Sequence, residues 1–173
     1  MTGANETGVA GGRDRLPAPL AEIRGEFHDL PASERLTLLL EFAGELPDLP
    51  SRYADHPDLL ERVLECQSPV FLFVEVDDRD EVRMFASAPE EAPTTRGFAS
   101  ILQQGTEGIG VDELFAIDSD MPFGLGLTEL VSPLRLRGMV GMLERAKRQA
   151  RLRLDERAAA AAGAASAPPG DES

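Results

Sequence analysis

Cys66 is the only cysteine in the chain, and no other feature narrows the accessible folds as far. A lone thiol closes no intrachain disulfide, makes no Cys-x-x-Cys redox pair and builds no zinc ribbon. A mixed zinc site would need Cys66, a carboxylate and both histidines, His28 and His56, so no metal site is expected. Without such staples the fold must rest on buried apolar surface. The composition allows this, since 42% of the 173 residues are hydrophobic. A chain of this size fits one domain, which typically runs to roughly 150 residues.

Charge narrows the partners. With 17 Lys and Arg against 31 Asp and Glu, the chain carries −14, which repels phosphate backbones and anionic bilayers. Tyr53 is the only tyrosine and there is no tryptophan, which leaves little stacking surface for bases. Neither nucleic acid nor membrane is therefore an expected partner. No run approaches the roughly 20 apolar residues of a membrane helix. The leading MTGANETGVAGGRDR has no apolar stretch of the kind a secretory signal carries, so the cytoplasm is the expected location.

Residues 1–15 are Gly-rich, polar and aperiodic, and read as a disordered lead. Residues 157–173 read as an Ala/Pro-rich disordered tail that starts with helix-favouring alanines and breaks at Gly163 and Pro168-Pro169. The folded unit is then 16–156. A first helix is predicted from about Leu20 to Asp29. Ser33 is a candidate N-cap for a second, SERLTLLLEFAGEL, whose Leu36, Leu39, Leu40, Ala43 and Leu46 fall at helical spacing. An irregular connector, DLPSRYADHPD, follows. LERVLE reads either as a helix end or as a short strand.

PVFLFVEV is the clearest strand, with Pro69 at its start, where a missing N–H is tolerated. The Asp77-Asp78-Arg79-Asp80 turn returns EVRMFASA as the second strand of a hairpin. Thr94 or Thr95 is expected to cap TTRGFASILQQ, with Gly105 just past its end. VDELFAI predicts a short helix. Ser132 and Pro133 open the longest helix, to about Arg157, with Met139, Leu143, Ala146, Ala150 and Leu154 as its buried stripe. The class is α+β, a small antiparallel β-sheet packed against helices. From Arg135 to Arg157 that last helix holds eight basic and three acidic residues, so the rest of the chain carries −19. Two readings of it stay open: a solvated face complementing the helix dipole, or a docking surface.

Among residues that carry chemistry, Cys66 has two readings. Free cysteine is among the most buried residue types and commonly only packs. Gln67 and Ser68, however, place it in a polar turn before a strand, where a reactive thiol would sit. The rivals lack parts. No local nucleophile signature pairs Cys66 with either histidine, and GLGLTEL lacks the GK[ST] ending of a phosphate loop. DDRDEV lacks the glycine and terminal glutamate of a calcium loop, and Asp118 and Asp120 read as loop carboxylates. The single lysine, Lys147, lies among arginines on a helix and makes no pyridoxal phosphate (PLP) site.

ECQSPVFLFVEV is similar to the active-site segment of the SufE family, the sulfur-acceptor partners of cysteine desulfurases. That segment reads Cys-Gln-Ser, one variable residue, then an apolar-aromatic strand. TTRGFASIL resembles the family's helix with a Lys/Arg-Gly-hydrophobic turn, here Arg96-Gly97-Phe98. SPLRLRGMVGML resembles its Ser/Thr-Pro-x-Arg-x-x-Gly-hydrophobic segment, here Ser132, Pro133, Arg135, Gly138 and Met139. The likeness runs in order from about Leu20 to Arg151.

The resemblance implies a SufE/IscU-like scaffold fold with Cys66 as the persulfide acceptor and Gln67, Ser68 and Arg135 in support. It implies a SufS-type desulfurase as sulfur donor, which the acceptor stimulates, and a downstream iron–sulfur scaffold as recipient. The chain would be a carrier of the SUF system rather than an enzyme in its own right, and would hold no cofactor, since PLP belongs to the desulfurase. Its oligomeric state stays open, a homodimer included. One thiol suits a carrier, because a second would close a disulfide and expel the sulfur, and a cluster scaffold needs several. Arg135 would either favour sulfur anions or fix the last helix. Two residues depart from the family pattern: Glu65 stands where glycine is usual, and Phe71 where tryptophan is common. A carboxylate turned inward at position 65 would raise the thiol pKa. The alternative to the carrier is an acidic, non-catalytic protein-binding module with a structural buried cysteine.

Overall fold

Residues 15–166 are described by the computed structural model. Strand alternation sets the frame. Phe71–Val76 (β2) and Val82–Ser87 (β3) pair antiparallel, from Phe71 opposite Ser87 to Val76 opposite Val82. Leu72, Val74, Met84 and Ala86 share the buried face. The turn closes on Asp77, whose Oδ1 accepts the N–H groups of Arg79 (2.8 Å) and Glu81 (2.9 Å). LERVLE resolves as a strand. Glu61–Arg62 (β1) pairs antiparallel with the start of β2, which gives a three-stranded sheet in the order β1-β2-β3.

Among the described residues, six α-helices surround the sheet: α1 (Ala18–Asp29), α2 (Ala32–Glu45), α3 (Ser51–Ala54), α4 (Pro93–Thr106), α5 (Val111–Ala116) and α6 (Pro133–Ala165). Helix α4 is the central one, packed against α1, α2, β3 and α6. Its Arg96 donates to the carbonyls of Ala88 (2.6 Å), Ala43 (3.3 Å) and Leu46 (3.4 Å). This satisfies carbonyls at the end of α2 that have no partner within the helix. Gly97 lets the two helices meet: a methyl group there would stand 2.5 Å from the Leu39 carbonyl oxygen.

Helix α6 lies along β2. Because β1 is two residues long, most of that edge of β2 has no strand beside it, and α6 supplies the missing partners. Gln149, buried, accepts the Val74 N–H (2.8 Å) and donates to the Leu72 carbonyl (3.3 Å) and to Glu61 (3.0 Å). Arg153 adds a bond to the Val74 carbonyl (3.4 Å). An edge that would otherwise template pairing with another chain is thereby covered.

Several expectations shift. Pro31, not Ser33, precedes α2, whose buried stripe is Leu39, Phe42 and Ala43, with Leu46 buried just past its end. Leu36 and Leu40 are exposed, because Phe42 turns the helix to stack on Phe27 at 5.9 Å. Neither Thr94 nor Thr95 caps α4, which opens on Pro93 instead. Gly105 is inside that helix against Leu20, and the left-handed residue after it is Gly108, φ +69°. The connector is less irregular than its turn formers suggest: α3 sets Tyr53 against Phe73 and Phe85 on the outer sheet face. Helix α6 does not stop near Arg157 but continues to Ala165, so the first half of the expected tail is helical. Residues 1–14 and 167–173 lie outside the described part.

The closeness of Gly97 to backbone gives a test. Gly97→Ala forces α2 and α4 apart, and we expect a loss of about 1–3 kcal/mol in urea unfolding despite alanine's better helix propensity. A variant as stable as wild type would contradict that contact.

Candidate functional site

Residues 63–70 form the loop from β1 to β2. It is closed at its base by the Val63 N–H on the Val70 carbonyl (2.9 Å) and turned by the Cys66 N–H on the Val63 carbonyl (3.2 Å). Leu64 projects from its tip, 74% exposed, whereas Cys66 is 8% exposed. The thiol is turned inward onto α6. A methyl group on Gly138 would stand 3.0 Å from Sγ, and one on Gly141 would stand 2.9 Å from the Glu65 Cβ. These two glycines, one helical turn apart, are the seat of the loop. One turn further on, Arg145 takes the Glu65 carboxylate: Nη2 reaches Oε2 at 2.9 Å and Oε1 at 3.2 Å, and Nε reaches Oε2 at 3.2 Å. The same guanidinium binds Glu61 of β1 at 2.6 Å, and Arg148 binds that carboxylate too.

A cleft of about 320 Å³ opens beside the thiol. Cys66, Gln67 and Ser68 line it from the loop, Arg135 from α6, Phe98 from α4 and Glu91 from the segment before α4. Arg135 donates from Nη1 to the hydroxyl of buried Thr94 (3.2 Å), and its backbone N–H binds Ser132, the N-cap of α6 (3.4 Å). No other hydrogen bond occupies that guanidinium among the described residues, so its remaining N–H groups are open to an anion in the cleft. The sequence-derived site residues Cys66, Gln67, Ser68 and Arg135 thus share one cavity. Neither histidine lines it; His28, for example, bonds the Gly124 carbonyl (2.7 Å).

Burial pushes the Cys66 thiol up from its ordinary 9.0 to about 11, helped by the negative charge of Glu65 and opposed by the positive charge of Arg145. The cation acting on the resting thiol is therefore Arg145. Burial opposes ionisation of Glu65 as well, but its backbone N–H and Arg145 outweigh that and hold its carboxyl below the usual range. Glu61, Gly141 and Arg145 went unnoticed in the sequence. The signal was there, since Gly138, Gly141 and Arg145 repeat on one helix face, but no local pattern says what that face meets.

Among the described residues, no helix is long and apolar enough to cross a membrane. The basic residues of α6 are largely engaged within the molecule: Arg145 and Arg148 with Glu61, Arg153 with Glu156, Arg157 with Asp80, and Lys147 with Glu144. Arg151 and Arg153 also cover the rings of Phe115 and Phe73.

Residues 21–150 match the SufE family, described as an Fe-S metabolism associated domain. An uncharacterized SufE-like protein of Mycobacterium tuberculosis is 52% identical over 136 residues, which is 79% of this chain and 94% of that one. SufE-like protein 1 of Arabidopsis thaliana, chloroplastic/mitochondrial, is 28% identical over 138 residues, 79% of this chain and 36% of that one. The solution structure of a hypothetical protein from Thermus thermophilus superposes with a TM-score of 0.71 at 36% identity, covering 81% of this chain and 98% of that one.

The raised thiol pKa has a sign that can be measured. The unfolded thiol ionises near 9.0 and the folded one only near 11, so the folded state keeps a proton that the unfolded state has lost. The contribution to stability is full below pH 9 and drains away as the pH rises toward 11, by on the order of 2 kcal/mol. Denaturation profiles of wild type and Cys66→Ser should converge across that window; a constant gap between them would contradict the burial effect.

Proposed function

The chain belongs to the SufE family, associated with Fe-S metabolism, and from that premise we propose that Cys66 accepts sulfane sulfur from a SufS-type cysteine desulfurase. The Cys66 thiolate attacks the outer sulfur of the donor's persulfide. The bond between the two donor sulfurs breaks, the donor leaves as a thiolate, and Cys66 holds –S–SH with no net oxidation or reduction. The acceptor thereby clears the desulfurase for another turnover and carries the sulfur onward for cluster assembly in the cytoplasm. PLP resides on the desulfurase.

The observation that carries this reading is the site's form. The chain's one thiol lies near the tip of a loop, faces a cleft, and is buried against Gly138 of α6. Shielding protects a persulfide from other thiols and oxidants. No second cysteine exists in the chain to expel the sulfur as sulfide. The burial of Cys66 would equally suit a binding module in which it only packs. The open cleft along one side of the thiol favours the acceptor, since a purely structural cysteine is normally close-packed all round.

With a desulfurase, cysteine and PLP, wild type should gain ~32 Da, the mass of one sulfur, by intact mass, and Cys66→Ser should gain nothing while still folding, because Cys66 is the only thiolate nucleophile. A serine variant that stimulates sulfide release as well as wild type would sink the acceptor reading. Hydrogen exchange around Leu64–Ser68 should rise when the desulfurase is added; unchanged protection would mean that the thiol is not delivered by loop opening.

Arg135 has a separable role. Its free N–H groups face the cleft, not the resting thiol's charge, so we propose that they steady the arriving persulfide anion. Arg135→Met should lower the initial rate of adduct formation several-fold while leaving the melting temperature and the alkylation of resting Cys66 near wild type. An unchanged adduct rate would reduce Arg135 to its bond with Thr94.

A further inference from the structure

We propose that Glu65 and Arg145 are a positioning pair for the acceptor thiol: their ion pair latches the 63–70 loop onto α6 with Cys66 turned inward, and parting them swings the thiol into solvent. The proposal rests on the reading of Cys66 as a sulfur acceptor and names the groups that set when it is available. Among the described residues, the Glu65–Arg145 fork is the sole side-chain hydrogen bonding that ties residues 64–69 to the rest of the molecule. The remaining hold is apolar: Cys66 packs into the core between the buried Val63 and Val70, and on α6 it and Glu65 lie against two glycines, which have no side chain to grip. Leu64 at the tip is largely in water. The polar part of the loop's hold is therefore a single clasp.

The two halves of the clasp are anchored unequally. Arg145 is fixed from behind by Glu61 at 2.6 Å, and its side chain is 17% exposed, so it stays in place when Glu65 leaves. The Glu65 side chain is 46% exposed and has no other side-chain partner among the described residues. A partner cation that competes for Glu65 would open the clasp from the loop side. Glu65 is also adjacent in sequence to the thiol, so any movement of the one carries the other.

The other charged groups facing Cys66 are Glu91 before α4 and Arg135 on α6 across the cleft, and neither touches the clasp. This allows opposite predictions for one variant. In a rigid site, Arg145→Gln removes a cation, raises the thiol pKa and slows alkylation. If the pair is a latch, the same change frees the loop, hydrates the thiol and speeds alkylation, because burial outweighs Arg145 in setting that pKa.

The test is the pH profile of iodoacetamide labelling of the full chain, run beside a thermal melt. Arg145→Gln should label at least roughly tenfold faster at neutral pH, one pKa unit or more, with its midpoint falling toward that of an exposed thiol. Arg145→Lys, which keeps the charge but not the fork, should fall between. Added salt should speed labelling of wild type and leave Glu65→Gln unaffected. Slower or unchanged labelling of Arg145→Gln overturns the latch. If that variant does not fold, Glu65→Gln, which leaves the Glu61 network intact, decides by hydrogen exchange. Faster exchange over Leu64–Ser68 supports the latch, and unchanged exchange overturns it. No desulfurase enters these assays, so they succeed or fail independently of the acceptor reading.

Discussion

A two-residue β1 cannot finish the sheet, and the hydrogen bonding of the open β2 edge is what the rest of the molecule depends on. Leu72 and Val74 would leave backbone groups unpaired inside the core, at a cost of about 1–3 kcal/mol for each group. Gln149 and Arg153 supply their partners from α6. Doing so fixes not only where the helix lies but how it is rotated about its axis. The face that carries Gln149 carries Arg145 one turn back, Gly141 two turns back and Gly138 three turns back. Completing the sheet edge thus aims two glycines and a guanidinium at the loop that emerges from the same edge.

The same geometry explains the charge arrangement. A chain at −14 with a helix rich in arginine would attract its own acidic surface before any partner's. The arginines reach Glu61 on β1, Glu65 on the loop and Asp80 in the hairpin turn. The more exposed of these pairs, such as Arg157–Asp80, contribute little to stability individually, of order 0–1 kcal/mol. Their effect is on register: they spread along α6 at intervals matching β1, the loop and the turn, and a rotated helix would lose them together. The basic stripe is therefore internal counter-charge in the main, and Arg135 at its start is the part directed to the cleft.

How much of this was readable beforehand follows from the range of each interaction. The hairpin, the Ser132–Pro133 start of α6 and the stripe through Met139, Leu143 and Ala146 depend on local periodicity and capping, which neighbouring residues encode. The cysteine, its polar flanks and Arg135 stand out by residue type and by motif. What escaped was non-local. Gly105 looks like a helix end until Leu20 is seen packed on it. Leu36 and Leu40 look buried until Phe42 stacks on Phe27 and turns them outward. Glu65 looks like a departure from a family pattern until Arg145, 80 residues away, is found holding it. In each case the missing partner lay across the fold, where spacing along the chain carries no information.

A sulfur acceptor meets two opposed demands. The thiol must be ionised to attack, yet a persulfide left in water is lost to whatever thiol or oxidant arrives first. A thiol held near 11 satisfies the second demand and fails the first, since only roughly one molecule in ten thousand is ionised at neutral pH. Lowering the resting pKa within the chain would answer the first demand at the expense of the second. The proposed latch would instead assign them to two states of the loop. The structure shows the closed loop, with Cys66 buried against Gly138, and the proposal assigns reactivity to an open one. A glycine at position 65 would leave opening to backbone flexibility alone. A glutamate paired with Arg145 would, under the proposed latch, tie it to a charge, so that a surface claiming the carboxylate would also release the thiol.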